Sequence, residues 1–443
     1  MALLYRILTA VAAFVLVPYY ALRGWRRREP RQTLRDRFGR LSPEIIARAA
    51  AASPEDRPIW IHAVSVGEVL AAKPLLDGLA RSFPSRPVFV STTTETGQKL
   101  ARERLADAAG IFYFPLDWGV PVGRALDALQ PSLIVIMETE IWPNFLRIAR
   151  ARGVPVVFAN ARISEKSMGR FERWKFLIGL FFEEVLQWPS LFLAQSQEDA
   201  ARLAAMGAPE GRIKVTGNLK YDVEPPAASA FTRWLAGQIQ SQERWPVLVA
   251  GSVVAEEESQ VLAAWDYVQR QWRHSLLILA PRKPGRFDAA VEICREGGWN
   301  VIRRSEIDLQ APFDEHADIL VLDSIGELTA TYALGDAVFV GGSLVRSGGH
   351  NILEPAWYGK PPVFGFSMEN FEEMASRFLS ARAGIQVSNG PMLGRVWVQL
   401  IEDAEARNRM GESARKLSEQ NRGATARTLE KIGALLGSRM EPA

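Results

Sequence analysis

Residues 58–92 read PIWIHAVSVGEVLAAKPLLDGLARSFPSRPVFVST. The apolar run Ile59–Val64, rich in β-branched and aromatic residues, predicts a strand. Val69–Ser82 spaces its apolar residues as an amphipathic helix does, and Gly67 allows a tight turn between the two. Val88–Ser91 predicts the next strand. This strand, helix, strand unit is the repeat of a parallel sheet covered by helices on both faces.

The same rhythm runs outward. Ile111–Phe114, Leu133–Met137, Val154–Ala159, Leu191–Ala194 and Ile213–Val215 continue the strands, with helical spacing over Gln98–Ala109. It breaks at Tyr221–Ser229, YDVEPPAAS, where adjacent prolines and the loss of periodicity read as a linker. It restarts with Val247–Ala250, Leu276–Leu279, Val301–Arg303, Ile319–Leu322, Ala337–Val340 and Pro362–Phe364. The expectation is two doubly wound α/β domains, 58–220 and 230–443, joined by 221–229. Ligands of such sheets bind at the carboxyl edges of the strands.

The 443 residues, 48% hydrophobic, suffice for two cores. The formal charge is only +3, and the basic excess gathers near the N-terminus, which indicates a local contact and not a nucleic-acid-binding protein. A single cysteine, Cys294, excludes an internal disulfide and a cysteine-rich metal site. Four histidines, His62, His274, His316 and His350, argue against a histidine-built one, so no metal or other cofactor is expected.

Residues 1–22 form an apolar stretch, Leu3–Leu22, interrupted by Arg6, Thr9 and Pro18. As a helix it extends about 30 Å, enough for a bilayer core. The basic segment 23–57 follows, with Arg23, Arg26, Arg27, Arg28, Arg31, Arg35, Arg37 and Arg40. Under the positive-inside rule these arginines put the rest of the chain on the cytoplasmic side, and they attract anionic headgroups. A helix lying in the interface is a second reading. A cleaved signal peptide fits worse, because the charge is on the wrong side and no A-x-A site precedes it.

Three loops of the second domain follow strands: APRKPGRF (280–287), DSIGEL (323–328) and GGSLVRSGGHNILEP (341–355). Glycines in the third let backbone N–H groups approach a ligand, and Asn351 can cap a helix whose N-terminus favours phosphate. Glu354 could accept from a ribose diol, and Arg282 could pair with a phosphate or carboxylate. The competing reading is three ordinary strand-to-helix turns. Neither G-x-G-x-x-G nor G-x-x-x-x-G-K-[ST] is present, against a dehydrogenase or an NTPase.

In the first domain Glu68 stands at a helix start, as a general base at the sheet edge or as a simple helix-start acid. Glu138 and Glu140 flank a strand end in an apolar stretch, where carboxylates need partners, functional or internal. Lys220 either counters ligand charge or is a solvated lysine. Ser164–Trp188 mixes Lys166, Arg170, Arg173 and Lys175 with Phe171, Trp174, Phe176, Leu177, Phe181 and Phe182. It suits a surface against anionic lipid or a core-facing amphipathic helix.

WIHAVSVGEVLAAKPLL (60–76), STTTETG (91–97), METEIWPN (137–144), FANARIS (158–164), GNLKYD (217–222), APRKPGRF, SIGEL and GGHNILEP occur in the order seen in the 3-deoxy-D-manno-octulosonic acid (Kdo) transferases. The chain resembles that family from the N-terminal anchor to about Arg422. The resemblance implies the GT-B fold, with an N-terminal membrane-anchor helix ahead of two Rossmann-like domains, and metal-free inverting transfer of Kdo from CMP-Kdo. The implied acceptor is the 6′-hydroxyl of the lipid A precursor lipid IVA, and the implied location is the cytoplasmic face of the inner membrane, against its anionic lipids.

By the same resemblance Glu68 matches the catalytic base, and Glu138 and Lys220 match transition-state-stabilising positions. CMP contacts fall on Pro281, Arg282, Ile325, Gly326, Glu327, Asn351, Ile352, Leu353 and Glu354. The family often has His-Pro-Glu after its Pro-Arg pair, where this chain has Lys283, Pro284 and Gly285. Alternatives are a GT-B enzyme of other specificity, such as a lipid A disaccharide synthase, and a non-catalytic membrane-bound nucleotide-sugar sensor.

Overall fold

The computed structural model of the protein describes residues 31–437. The chain divides into two compact units, one reaching Val223 and taking back the residues from Asn421, the other Glu224–Gln420.

In the first unit seven strands form one parallel sheet: β1 (Ile59–His62), β2 (Val88–Thr92), β3 (Gly110–Tyr113), β4 (Leu133–Met137), β5 (Val156–Ala161), β6 (Leu191–Ala194) and β7 (Ile213–Val215). Their order is β3-β2-β1-β4-β5-β6-β7. Both faces are covered, so strand residues are apolar in both registers. Ile59 and Ile61 enter one core layer with Val88, Val90, Leu133 and Val135. Trp60 enters the other with Phe89, Phe112, Phe145 and Phe158.

In the second unit β8 (Val247–Val253), β9 (Leu276–Pro281), β10 (Val301–Arg303), β11 (Ile319–Val321), β12 (Ala337–Val340), β13 (Pro362–Phe364) and β14 (Ile385–Gln386) form another parallel sheet, ordered β10-β11-β9-β8-β12-β13-β14. Strand order reverses beside the first strand of each unit, between β1 and β4 and between β8 and β12. These are the topological switch points, where open α/β sheets bind ligands.

Three domain expectations need correction. The second domain does not run to 443. The helix Ala424–Gly437 packs on the first unit, with Ala424, Ile432 and Leu436 in the layer that holds Leu75 and Leu79. Gly78 permits the contact, since a Cβ there would lie 2.4 Å from Leu429 Cδ1. Tyr221 and Asp222 belong to a 3-10 turn of the first unit, Leu219–Asp222, in which Tyr221 is buried. Residues 41–50, expected within the basic juxtamembrane segment 23–57, are built into this unit. Leu41, Ile45 and Ala49, at helical spacing, join its core.

The expected anchor, 1–22, lies outside the described residues, as do Arg23, Arg26, Arg27 and Arg28. Among the described residues no helix is long and apolar enough to cross a membrane. Of the remaining arginines, Arg35 and Arg40 are exposed. Arg37 is tied into the fold: it donates to the Thr93 carbonyl at 2.9 Å and lies over the Tyr113 ring.

Candidate active site

The β1/β4 switch point of the first unit carries Glu68 on one side and Glu138 on the other. Beyond β1, Ser65 caps the helix Val66–Ser82, its Oγ accepting from Glu68 N at 3.3 Å. The Glu68 carboxylate reaches back in a reciprocal capping box and accepts from Val64 N at 2.8 Å and Ser65 N at 3.2 Å. The side chain is therefore a helix cap, and it is also buried, 5% exposed. Burial first, and the charge of Glu138 second, pushes its carboxyl up from 4.5 to about 7, against the two backbone hydrogen bonds. A carboxyl poised there exchanges a proton readily at neutral pH.

Glu138 follows β4 in the left-handed region, φ 54°, which a non-glycine residue adopts at a cost. Its N–H bonds to the Ala159 carbonyl at 2.8 Å, and its Oε1 pairs with Lys220 Nζ at 3.1 Å. The solvated-lysine reading of Lys220 is thus replaced by an ion pair between two partly buried side chains. Glu140 is half-buried, and burial, then Glu138, raises its carboxyl above the ordinary range.

Lys220 is held by a network of amides. Buried Asn160 accepts from Leu219 N at 2.9 Å, and Asn218 accepts from Lys220 N at 2.9 Å. Gln195 ties them together, donating to the Asn160 carbonyl and accepting from Asn218 Nδ2. Asp222 then accepts from Gly423 N and Thr425 N, at 2.6 and 2.5 Å, and so anchors the start of the last helix to the same turn.

In the second unit Arg282 follows β9, exposed, with its N–H on the Val253 carbonyl at 2.8 Å. Its positive charge lowers the pKa of both His350 and Glu354. Burial, helped by Arg282, holds the His350 imidazole down at about 4 and hence neutral. Glu354 accepts from Thr329 Oγ1 at 2.9 Å and from the Asn351 side chain, while burial raises its carboxyl. Asn351 does not cap the next helix, whose N-cap residue is Ile352 with no side-chain cap; its Oδ1 accepts from Leu353 N at 3.2 Å in a turn just ahead of that helix. That helix, Leu353–Ala356, is one turn long. Its dipole is correspondingly small, so the expected phosphate site at its N-terminus loses most of its electrostatic basis.

The side chains of Pro281, Ile352 and Leu353 are buried, which leaves only backbone for a ligand there. Ile325 is 64% exposed and Gly326 has φ 91°. Glu327 is engaged internally, with Arg304 at 2.9 Å, Ser324 Oγ at 2.6 Å and Ser229 Oγ at 3.2 Å. The glycine loop differs most from expectation. The N–H groups of Gly342, Ser343 and Leu344 point at a carboxylate of the chain itself, Glu257, and not outward to a ligand.

Residues 32–223 match the family model described as 3-deoxy-D-manno-octulosonic-acid transferase (kdotransferase). The 3-deoxy-D-manno-octulosonic acid transferase of Haemophilus influenzae is 32% identical over 409 residues, 91% of each chain. The chain belongs to the Kdo transferase family. The Bordetella pertussis enzyme of the same description is 33% identical over 415 residues, 90% of this chain and 91% of that one. Among solved structures, a Staphylococcus aureus MnaA–UDP complex has a TM-score of 0.57 at 14% identity, covering 87% of this chain and 99% of that chain. UDP-GlcNAc 2-epimerase from Neisseria meningitidis has a TM-score of 0.55 at 12% identity, covering 85% and 99%. At such identities these neighbours speak for the two-sheet fold alone.

Within this Kdo transferase the Lys283-Pro284-Gly285 departure forms a 3-10 turn, Pro284–Arg286, and Arg286 pairs with buried Glu258 at 2.6 Å. Asn160, Gln195, Asn218 and Glu257 were not singled out from the sequence. The signal for Asn160 was a polar residue inside an apolar strand, which demands a partner when buried. Glu257 gave no such signal, because AEEE (255–258) reads as a solvated turn. Cys294 is buried and its thiol is pushed up to about 12, so it is no nucleophile.

Proposed function

We propose that this Kdo transferase moves Kdo from CMP-Kdo to the 6′-hydroxyl of a lipid A precursor, lipid IVA, with inversion at the anomeric carbon and release of CMP. The observation that carries the reading is Glu68: a buried carboxyl brought to about 7 beside the Glu138–Lys220 pair at a switch point. As the bond from the tertiary anomeric carbon to the phosphate breaks, its electron pair leaves with CMP and an oxocarbenium-like centre develops. The acceptor oxygen bonds to that carbon and its proton passes to Glu68. Lys220 and Glu138 stabilise the charge that develops. Arg282 stabilises the departing phosphate, and Glu354 with Asn351 holds the nucleotide.

The acceptor's lipid character is supported by the helix Glu165–Val185. Trp174, Phe176, Leu177 and Leu180 are exposed on it, Phe176 at 96%, among exposed Lys166, Arg170, Arg173 and Lys175. Apolar side chains among cations suit an anionic bilayer surface. Phe171 is core, and Phe181 and Phe182 pack against it, so the candidate surface is narrower than the sequence suggested. On this reading the enzyme works at the cytoplasmic face of the inner membrane.

Mass spectrometry of the product from CMP-Kdo and tetraacyl lipid A precursor tests the proposal. The expected result is a lipid heavier by Kdo, with CMP released. Kdo transfer to another acceptor, with the lipid left unmodified, would overturn the acceptor assignment.

A further inference from the structure

The β8/β12 switch point holds a fully buried acid, Glu257, 0% exposed. Its Oε1 accepts from Ser343 N at 2.7 Å and Leu344 N at 2.6 Å. Its Oε2 accepts from Gly342 N at 2.6 Å and Val254 N at 3.2 Å. Four backbone donors from two loops converge on one carboxylate. Successive N–H groups turned inward form an anion-binding cradle, and here the chain fills its own cradle. Gly341 is required beside it, since a Cβ there would lie 2.9 Å from Glu257 Oε2 and 2.7 Å from the Ser252 carbonyl.

What hangs on these loops gives the carboxylate its consequence. Val253, next to Val254, accepts from Arg282 N. Gly342 accepts from Gly349 N at 2.7 Å, which closes the loop just before His350 and Asn351. The His350 ring lies where a Cβ on Gly342 would be, 2.7 Å from its Nε2. Ser343 continues the frame, donating to the Val340 carbonyl at 2.6 Å and accepting from Gly365 N at 2.8 Å. Glu257 thus fixes the backbone from which Arg282 and Asn351 project, without standing in the row of residues assigned to the nucleotide.

We infer that Glu257 is the positioning residue of the donor loops, a built-in anion that occupies the switch-point cradle and presets Arg282 and Asn351 for the nucleotide. The donor phosphate is thereby excluded from the glycine loop's N–H groups. The inference rests on the reading that the second unit holds CMP.

Its test is chemical rescue. Glu257→Ala removes two carbon atoms and the carboxylate oxygens, which acetate restores. By calorimetry the variant should bind CMP about tenfold more weakly or worse, as expected when the competent loop is populated about a tenth of the time. Acetate should restore the affinity saturably, and should change neither the wild type nor Glu258→Ala. Unchanged CMP affinity in Glu257→Ala, or weakening that acetate does not repair, would overturn the inference. A wild type that binds no CMP would instead sink the donor reading beneath it. Should Glu257→Ala not fold, amide exchange in the wild type decides. Gly342, Ser343 and Leu344 should be as protected without CMP as with it. Amides that exchange freely until CMP is added would show the cradle to be the ligand's.

Discussion

Glu68→Gln should make the protein much less active, and its stability relative to the wild type should rise with pH in one direction only. Folding raises the Glu68 carboxyl from 4.5 to about 7. The folded state therefore binds more protons than the unfolded state between those values, and wild-type stability falls as pH rises through the window. The difference corresponds to about 3 kcal/mol once both states are ionised, an upper figure for a side chain this buried. Glutamine does not titrate, but its amide has one acceptor oxygen and an NH2 that only donates, so one of the two hydrogen bonds from Val64 N and Ser65 N is lost at every pH. The difference, variant minus wild type, should start at the cost of that lost bond near the acid end and rise by up to about 3 kcal/mol by about pH 8. Exchange of the slowest amides of β1 and β4, compared between the two proteins at each pH, reads the stability of the first unit. Turnover should drop about a hundredfold or more, because the base is gone. A stability difference that ignores pH would refute the electrostatic account. Near-normal turnover would leave Glu68 a helix cap and nothing more.

Glu138→Gln removes the second contributor to the high Glu68 value, so the acid limb of its normalised kcat/KM profile should move down by less than about one pH unit; a limb that stays in place would separate the two residues. Glu354→Ala strands Thr329 and Asn351 and should weaken CMP binding by about 1–3 kcal/mol in calorimetry; unchanged affinity would confine Glu354 to folding. Replacing Trp174, Phe176, Leu177 and Leu180 by Ser should leave the circular dichroism spectrum intact and cut binding to anionic vesicles. The binding that remains should be salt-sensitive at about 1 kcal/mol per basic residue. Vesicle binding equal to wild type would remove this helix from the membrane contact. Activity should persist in excess EDTA, and loss restored by a divalent ion would reverse the metal-free expectation.

Most strands were legible because both faces of a covered parallel sheet are dry. β4, β6, β7, β10, β12 and β13 have the residues expected of them. β14, two residues long, has no run to recognise. The catalytic candidates were legible as acids out of place, and Glu138 found its cation in Lys220. The rest needed three dimensions. Ala424, Thr428, Ile432 and Leu436 announce a buried helical face without saying against what it is buried. Gly342 to Leu344 announce available N–H groups, and nothing in the spacing reveals that Glu257 takes them.

The return of the helix Ala424–Gly437 to the first unit makes Glu224–Gln420 an insertion within that unit's own sequence. A ribosome builds from the N-terminus, and domains generally fold as they emerge. The unit Glu224–Gln420 can thus finish first. The half that carries Glu68 must wait, nearly all of it already synthesised, for Leu429, Ile432 and Leu436 to cover Leu75 and Leu79 and for Thr425 to lock the turn that holds Lys220. Closing the first unit with this helix also completes the support of its candidate catalytic centre, so a chain cut before Asn421 would carry Glu224–Gln420 intact and the first unit unfinished.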